Sequence, residues 1–328
     1  MAFKMTSDIK VANYKPFKPN AIKWKRSVDN YSDYGMLRIP AITMLKKSGD
    51  QYEKVQTGLQ FTEGQKVEFY CGYNGVNKLR FKGFIRRVNF TVPLEIECEG
   101  YSYQLRKKLD ITKTYTNTTV KAIIQDVISG TDIILSPDIP NVPIPKAVFK
   151  HCSGTQVLDF LKDKCLMSVY FNFDVLYVGL LETKPAKTVK FRLGWNVIKD
   201  NELKFSDKKE FADVRIKLVK RQKDGKTKTS FYGRKDGQVV EKRISLIDDE
   251  ATLHKIAERE KARLTNRGYE GGITAFLEPI VNIGDSANIE DARYQERKGN
   301  YFVTGIEGEF STSGGRQKIR IGNSLGGG

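Results

Sequence analysis

A basic and aromatic segment near the amino terminus offers the clearest potential binding chemistry in the sequence. Residues 13–26 read NYKPFKPNAIKWKR, in which three aromatic rings alternate with lysine and arginine. Rings can stack on unpaired bases while cations neutralise phosphates, so the pattern is compatible with single-stranded nucleic acid. Pro16 and Pro19 favour an extended arm, which we expect to pack on a neighbouring subunit instead. The three candidate rings are Tyr14, Phe17 and Trp24.

A second group of cations lies in residues 220–237, which read KRQKDGKTKTSFYGRKDG. Asp224 and Gly225 form a dipeptide that favours a two-residue hairpin turn, so the cations should surround a hairpin tip. Such a tip can be a solvated turn without a binding role, or it can face an acidic partner. The candidate interface cations are Lys220, Arg221, Lys223, Lys226 and Lys228.

The charge balance indicates an anionic neighbour. Lysine and arginine number 56 against 39 aspartates and glutamates, for a formal net charge of +17. The neighbour could be nucleic acid, an acidic protein surface or a membrane face. No apolar run approaches the roughly 20 residues of a membrane span, so we expect no stable membrane insertion. No signal peptide is apparent, and we expect assembly in the cytoplasm.

No pattern of residue types indicates catalysis. The sequence shows no Ser/His/Asp set, no metal-ligand spacing and no glycine-rich phosphate loop. We therefore predict no catalytic residue, no cofactor, no metal and no enzymatic activity.

Strand-like alternation dominates both ends of the chain. Apolar side chains occupy every second position in KVEFYC, residues 66–71, and in LEIECEG, residues 94–100. Helical spacing appears between the two ends, in a segment capped by Thr118 and in residues 153–166. The sequence therefore predicts a β-rich α+β fold, with two similar antiparallel β-barrels separated by a smaller α+β module. The predicted domains are a first barrel at 1–108, the module at 109–195 and a second barrel at 196–328.

Matched glycine spacing indicates that the two ends are duplicated units. Each end has a glycine turn into a strand, a second strand that contains a glycine, and a last strand that closes at a glycine. The last two glycines are 17 residues apart at both ends. Two similar barrels in one chain would let three chains present six similar units around an axis. The matched pairs are Gly64 with Gly284, Gly83 with Gly305, and Gly100 with Gly322.

Three stretches resemble a known family. They are AIKWKRSVDNYSDYGMLRIP at 21–40, GFIRRVNFTVPLEIECEGYSYQLRKK at 83–108 and YFVTGIEGEFSTSGGRQKIRIGN at 301–323. They are similar to the opening strands, the Gly-Phe-Ile segment and the C-terminal hairpin of baseplate hub proteins, or late control protein D-like proteins, of contractile phage tails. The hub part of VgrG spikes shares this architecture. The resemblance covers nearly the whole chain.

The resemblance implies a homotrimeric hub with a central channel. The hub would contact a hexameric tail tube protein on one side and a spike on the other. VgrG-like chains continue into a spike and this sequence ends in glycines, so the resemblance implies a separate spike protein. Other baseplate proteins and the tape-measure protein are further implied partners, and DNA would pass the channel only transiently. The expected location is a virion tail baseplate or an injection particle, assembled in the bacterial cytoplasm.

One alternative keeps the basic residues at the centre of the function. The chain could be a basic, OB-like barrel that binds single-stranded nucleic acid, as the net charge and the aromatic arm allow. Within a hub channel, however, many phosphate contacts would hold DNA too tightly. We therefore favour protein partners for the cations of residues 220–237.

Overall fold

The computed structural model describes residues 4–46, 50–180, 185–206, 213–221, 226–265 and 268–325. The first third is built almost entirely of strands, with one short 3-10 helix at Thr57–Gln60. The strands are β1 Met5–Val11, β2 Ala21–Ser27, β3 Tyr34–Ile39, β4 Ile42–Lys46, β5 Tyr52–Gln56, β6 Lys66–Tyr73, β7 Val76–Asn89 and β8 Leu94–Glu99.

The middle of the chain mixes helices and strands. The first long helix begins after Thr119, whose side chain accepts a hydrogen bond from the Ala122 N–H, so the cap lies one residue beyond the predicted Thr118. Ser153 and Gln156 form a capping box at the start of the next helix. The elements are α1 Ser102–Lys107, β9 Ile111–Thr119, α2 Val120–Ile128, β10 Ile134–Leu135, β11 Pro143–Cys152, α3 Gly154–Lys164, β12 Ser168–Asn172 and β13 Val175–Gly179.

The last part of the chain returns to strands around one helix and a 3-10 turn at Gln295–Arg297. The elements are β14 Thr188–Arg192, β15 Val197–Lys199, β16 Lys204–Ser206, β17 Val214–Arg221, β18 Thr227–Gly233, β19 Gln238–Arg243, α4 Glu250–Thr265, β20 Gly268–Phe276, β21 Ser286–Glu290, β22 Gly299–Ser311 and β23 Gly314–Ser324.

Thirteen of the described strands form one continuous sheet. Its main path runs β1-β6-β7-β8-β3-β2-β22-β23-β20-β15, with β14, β16 and β21 attached to the second part. The predicted β-rich α+β fold is therefore found. The sheet is open in the described part of the chain, where no closed barrel is formed.

Three hydrophobic clusters fill the structure. One lies under the first strands and includes Phe69 and Phe81, and a second lies under the last strands and includes Phe191 and Ile319. The third and largest belongs to the middle module. It also contains buried residues of β17 and α4, although the sequence order assigns these two elements to the last predicted domain. The module thus takes its core from two separate stretches of chain.

Candidate assembly interface

The two ends of the large sheet repeat one order of strand pairing. We call the strands β1-β6-β7-β8-β3-β2 the first half of the sheet. The second half has the order β14-β21-β22-β23-β20, followed by β15 and β16. The two halves are not identical, because β1 pairs antiparallel with β6 whereas β14 pairs parallel with β21. The second half also replaces the single strand β2 by two short strands.

Hydrogen bonds fix which residues correspond between the halves. The Gly64 N–H donates to the Ile85 carbonyl, and the Gly284 N–H donates to the Val303 carbonyl in the same way. Both glycines have a positive φ, of 87° and 85°, a conformation that L side chains rarely adopt. Ile85 is therefore equivalent to Val303, and the pair Gly64 and Gly284 was matched correctly from the sequence.

The other two matched glycine pairs are not structurally equivalent. In both halves a bulge follows the equivalent residue, so that Arg87 lies opposite Glu97 and Gly305 lies opposite Arg320. Gly305 thus corresponds to Arg87, and Gly322 to a position other than Gly100. The equal spacing of 17 residues is a coincidence. The same pairing makes Gly35 and Gly271 equivalent, a match that the sequence comparison missed.

A seam of two antiparallel strands joins the halves. Strand β2 pairs with β22 from Ala21 opposite Ser311 to Ser27 opposite Gly305. In the middle of this ladder Trp24 lies opposite Gly308, and a Cβ atom on Gly308 would stand 2.0 Å from the Trp24 ring. The indole therefore occupies the space above this glycine. We call the β2–β22 ladder the intrachain seam.

Side chains of the second half complete the core of the first half across this seam. Leu277 and Phe310 belong to the first-half hydrophobic cluster and are buried there. The buried Arg80 guanidinium donates to the Leu277 carbonyl at 2.8 Å. Its Nη2 atom also lies 3.3 Å from Glu278 Oε1. A corner of the second half is thus held inside the first.

Arg26 lies where the two halves and the middle module meet. It extends from β2, and its Nη2 donates to Asn172 Oδ1 at 2.6 Å. Its Nη1 lies 3.4 Å from Asn282 Oδ1 of the second half. Its guanidinium carbon is 3.8 Å from the centre of the Phe173 ring, in cation–π geometry. Its Nε is 3.6 Å from Asp33 Oδ2, and both side chains are almost fully buried.

Burial shifts the titration of this pair. Burial raises the pKa of the Asp33 carboxyl to about 7, and the Arg26 guanidinium acts against this rise. Burial likewise lowers the pKa of Arg26, while Asp33 and Asp285 act against that change. The pair is therefore a charged contact that burial makes costly and that mutual pairing helps to stabilise, together with the polar and ring contacts of Arg26.

We expect Asp33 to give the protein a measurable pH dependence. Its folded-state pKa lies above the ordinary value of 3.8, so the folded protein holds the proton more strongly than the unfolded chain. The free energy of unfolding should therefore lose a contribution from this group as the pH rises from about 4 to about 7. Asp33→Asn removes the titrating carboxyl. The difference between the free energies of unfolding of the wild type and this variant, measured by urea denaturation, should therefore change with pH over that window. Asp50→Asn, at an exposed carboxylate, is the control. A constant Asp33→Asn difference would contradict this assignment.

Each half also has a stretch of strand that the described strands pair on one side only. Strand β16 pairs with β20, and no other described strand pairs with it. In β7, residues 87–89 pair with β8 alone among the described strands, although the equivalent part of β22 pairs with both β23 and β2. We call the outer sides of β16 and of residues 87–89 the two open edges, in the sense that no described strand pairs there. Phe205 is 47% exposed, and Phe90, just beyond β7, is 68% exposed.

The structure places the predicted aromatic residues on the protein's own first half. Trp24 is only 3% exposed and lies in the intrachain seam, so its ring cannot stack on a base. Phe17 packs against Phe61, with ring centroids 6.1 Å apart. The Tyr14 hydroxyl donates to the Gln60 carbonyl at 3.0 Å. The arm folds back onto its own sheet, and its packing on a neighbouring subunit stays a prediction.

The predicted basic residues lie around the ends of β17 and β18. Lys220 donates to the Ile247 carbonyl at 3.4 Å and pairs with Asp248, so its charge is engaged within the chain. Lys228 lies opposite Lys220 in the β17–β18 ladder, and Lys226 is exposed just before β18. The side chain of Arg221, together with Lys223 and the predicted Asp224–Gly225 turn, lies outside the described residues. A binding role for these cations stays a prediction.

The sequence did not reveal the residues that matter most at the seam. Arg26 was read as one cation of a basic arm, and nothing in its neighbours along the chain indicates burial. Nothing in the sequence around Gly308 distinguishes it from other strand glycines. The burial of Arg26 and the contact of Gly308 with Trp24 both depend on the pairing of β2 with β22, which joins residues nearly three hundred positions apart.

No helix in the described ranges combines the length and the apolar character needed to cross a membrane. Nor do the His, Cys, Asp and Glu side chains of the described residues include a group of three or more that could hold a metal ion.

Comparison with known proteins identifies the fold. No protein-family model matches the sequence, and no curated protein matches it. The tail protein from Neisseria meningitidis MC58 is similar with a TM-score of 0.66 and 13% identity, over 97% of this chain and 96% of that protein. The 43 kDa tail protein of prophage MuSo2 from Shewanella oneidensis gives 0.65 and 15%, over 98% of each chain. The chain has the fold of phage tail proteins.

A type VI secretion protein has the same fold. A component of that system from Escherichia coli gives a TM-score of 0.60 and 9% identity, over 96% of this chain and 76% of that protein. The family resemblance inferred from the sequence is thus confirmed as a tail-protein fold. At these identities the comparisons show the fold alone. The roles of individual residues in assembly are therefore inferred from the intrachain seam and the two open edges of this chain.

Proposed function

We propose that this tail-fold protein is a structural baseplate hub of a contractile phage-like tail or injection system. Three chains form a ring in which six sheet halves alternate, so that a three-fold object presents nearly six-fold geometry. The two halves serve as two copies of one tube-like unit. Structural tail and secretion proteins with the same fold support this role, and they support a non-enzymatic one.

The observation that carries the proposal is the intrachain seam with its two unused counterparts. Within one chain, β2 of the first half pairs with β22 of the second half. The equivalent stretches are β16 of the second half and residues 87–89 of the first, which present the two open edges. Pairing these edges between neighbouring copies repeats the seam and continues the sheet from chain to chain. Cyclic closure pairs every copy of these two edges, which would otherwise be liable to aggregate.

The equivalences give the register of the proposed ladder. Arg26 lies opposite Ile306 in the intrachain seam, and the corresponding residues are Phe205 and Val88. Residues 204–206 of one copy therefore pair with residues 87–89 of the next in antiparallel order. The exposed Phe205 ring becomes covered in the process, which supplies apolar burial in addition to backbone hydrogen bonds.

The proposed partners are those that the family resemblance implies. One face meets the tail tube protein, and the other meets a spike with three-fold symmetry. Other baseplate proteins surround the ring, and the tape-measure protein and, transiently, DNA pass through its channel. The particle is a virion tail or an injection machine assembled in the bacterial cytoplasm. The nucleic-acid-binding alternative loses its aromatic platform, because Trp24 is buried.

We expect a designed disulfide to trap the ring. Directly opposed residues in an antiparallel ladder have Cα atoms about 4.5–5.5 Å apart, which suits a disulfide. Phe205→Cys combined with Val88→Cys, in a Cys152→Ser background that removes the partly exposed native thiol, should give a covalent trimer on a non-reducing gel. Light scattering of the wild type should give three times 37.3 kDa.

The control shifts one cysteine out of register. Phe205→Cys with Phe90→Cys should yield little covalent trimer, because residue 90 lies two positions further along the ladder. A wild-type protein that stays monomeric at all accessible concentrations, with no covalent trimer from either pair, would rule out the ring.

A further inference from the structure

A surface cavity of about 640 Å³ opens beside the second half. Its wall is formed by the end of β21, the start of β22 and Arg192 of β14. Ile289 lies opposite Gly299 in this wall, and Lys298 stands next to them. The hub ring proposed above explains why such a cavity exists, and the inference drawn here rests on that ring.

The equivalent place in the first half is filled. The cross-strand pair Phe69–Phe81 of the first half is equivalent to the pair Ile289–Gly299 of the second half. Arg80 and Lys298 directly precede Phe81 and Gly299 in the chain, so these two residues are equivalent as well. In the first half, Arg80 is buried and donates to the carbonyl of Leu277. The corner that begins at Leu277 therefore covers this position, whereas its counterpart in the second half stands open.

The counterpart of the filling corner is exposed. Leu277 lies six residues after Gly271, and Ala41 lies six residues after the equivalent Gly35. By the same count Glu278, which contacts Arg80, corresponds to Ile42. The backbone of Ile42 pairs with Gln56 of β5, while its side chain is 53% exposed, so the first half carries an exposed corner at the equivalent position.

A second pair of equivalent residues shows the same contrast. Phe310 of β22 is buried in the first-half core. Its counterpart Val92 is 89% exposed. Across the intrachain seam the second half inserts Leu277 and Phe310 into the first half. Of their counterparts, Ala41 packs partly against its own core, whereas Val92 and the Ile42 side chain beside Ala41 are exposed. Their exposure is accounted for if they insert into another chain.

We infer that the cavity receives the Ala41–Ile42 corner of a second copy of this chain, with Lys298 in the place of Arg80. The occupant is another copy rather than a foreign protein, because the filled version of the same site is occupied by the equivalent corner of this chain. Residue 42 then lies next to Lys298 of the neighbouring copy, as Glu278 lies next to Arg80.

Paired charge changes test this contact. Ile42→Glu places a carboxylate beside Lys298, and Ile42→Lys places an ammonium there. We expect Ile42→Lys to give a trimer dissociation constant at least about tenfold higher than Ile42→Glu, because juxtaposed like charges are unfavourable at an interface. In a Lys298→Glu background the order of the two variants should reverse. Dissociation constants come from concentration-dependent light scattering, and thermal unfolding checks that each variant is folded.

The controls separate this contact from the ring itself. Val239→Lys and Val239→Glu, at a 51% exposed strand position outside the cavity and the corner, should show no difference in dissociation constant. If the wild type is trimeric but the two residue 42 variants weaken it equally with either residue at 298, the cavity contact is wrong and the ring stands. If the wild type is monomeric, the ring and the contact fall together.

Discussion

Replacing Arg26 by methionine should lower the free energy of unfolding by about 3–5 kcal/mol at pH 8, the cost of leaving a buried charge without its partner. Methionine keeps an unbranched apolar stem, although a shorter one, and removes the charge beside Asp33 and the donors to Asn172 and Asn282. At pH 5 the loss should be smaller, because the Asp33 carboxyl, whose pKa burial raises to about 7, is then largely neutral. Urea unfolding at the two pH values measures both effects.

A neighbouring variant provides the comparison for this substitution. Lys25→Met lies one residue earlier on the same strand and breaks an exposed ion pair with Glu307 at 3.0 Å. Surface pairs contribute about 1 kcal/mol or less, so this variant should remain close to wild type. The double variant Arg26→Met with Asp33→Asn should recover part of the loss at pH 8. Equal effects of Arg26→Met and Lys25→Met would refute the proposed role of Arg26 at the junction.

A single methyl group on Gly308 should also be costly. Its Cβ atom would stand 2.0 Å from Trp24 Cζ2 and 2.2 Å from Cε2, so either the indole or the strand must move. Overpacking of this kind costs about 1–3 kcal/mol. We therefore expect Gly308→Ala to lower the free energy of unfolding by that amount in chemical denaturation.

The same strand offers a matched control for the methyl group. At Gly305, three residues earlier in β22, the nearest atom to an added Cβ is the Arg26 carbonyl oxygen at 3.4 Å, an ordinary contact. Gly305→Ala should be neutral or slightly stabilising, since alanine reduces the freedom of the unfolded chain. Similar losses for both alanine variants would show that the strand, rather than the Trp24 ring, resists the change.

Local patterns in the sequence were sufficient to predict the type of fold. Alternation along β6 and β8 reported correctly that Phe69 and Ile96 are buried, because a strand exposes its faces in turn. The predicted Thr118 cap located the start of α2 to within one residue, and helical spacing placed α3 within residues 153–166. These features depend on neighbours within a few positions, which a single sequence displays directly.

Features set by distant pairing were beyond the reach of the same patterns. Trp24 reads as an exposed ring among lysines, and only its position between β3 and β22 shows that it is buried. Equal glycine spacing suggested the right hairpins but two wrong equivalences, since the hairpins differ in length: paired residues Ile85 and Cys98 are 13 positions apart, and the equivalent Val303 and Ile321 are 18 apart. The open edge at Phe205 and the cavity at Lys298 become visible only when one half is compared with the other in three dimensions.

The covalent link between the halves has a consequence for how a ring would assemble. In a ring of three chains, three of the six seams are the intrachain β2–β22 ladder, which forms as each chain folds and does not depend on protein concentration. Only the other three require encounters in solution, so assembly needs three molecules to meet rather than six. Tethering also raises the local concentration of the joined halves to about the millimolar range or above. A ring of the kind proposed here could thereby close at dilutions where six separate units would remain dispersed.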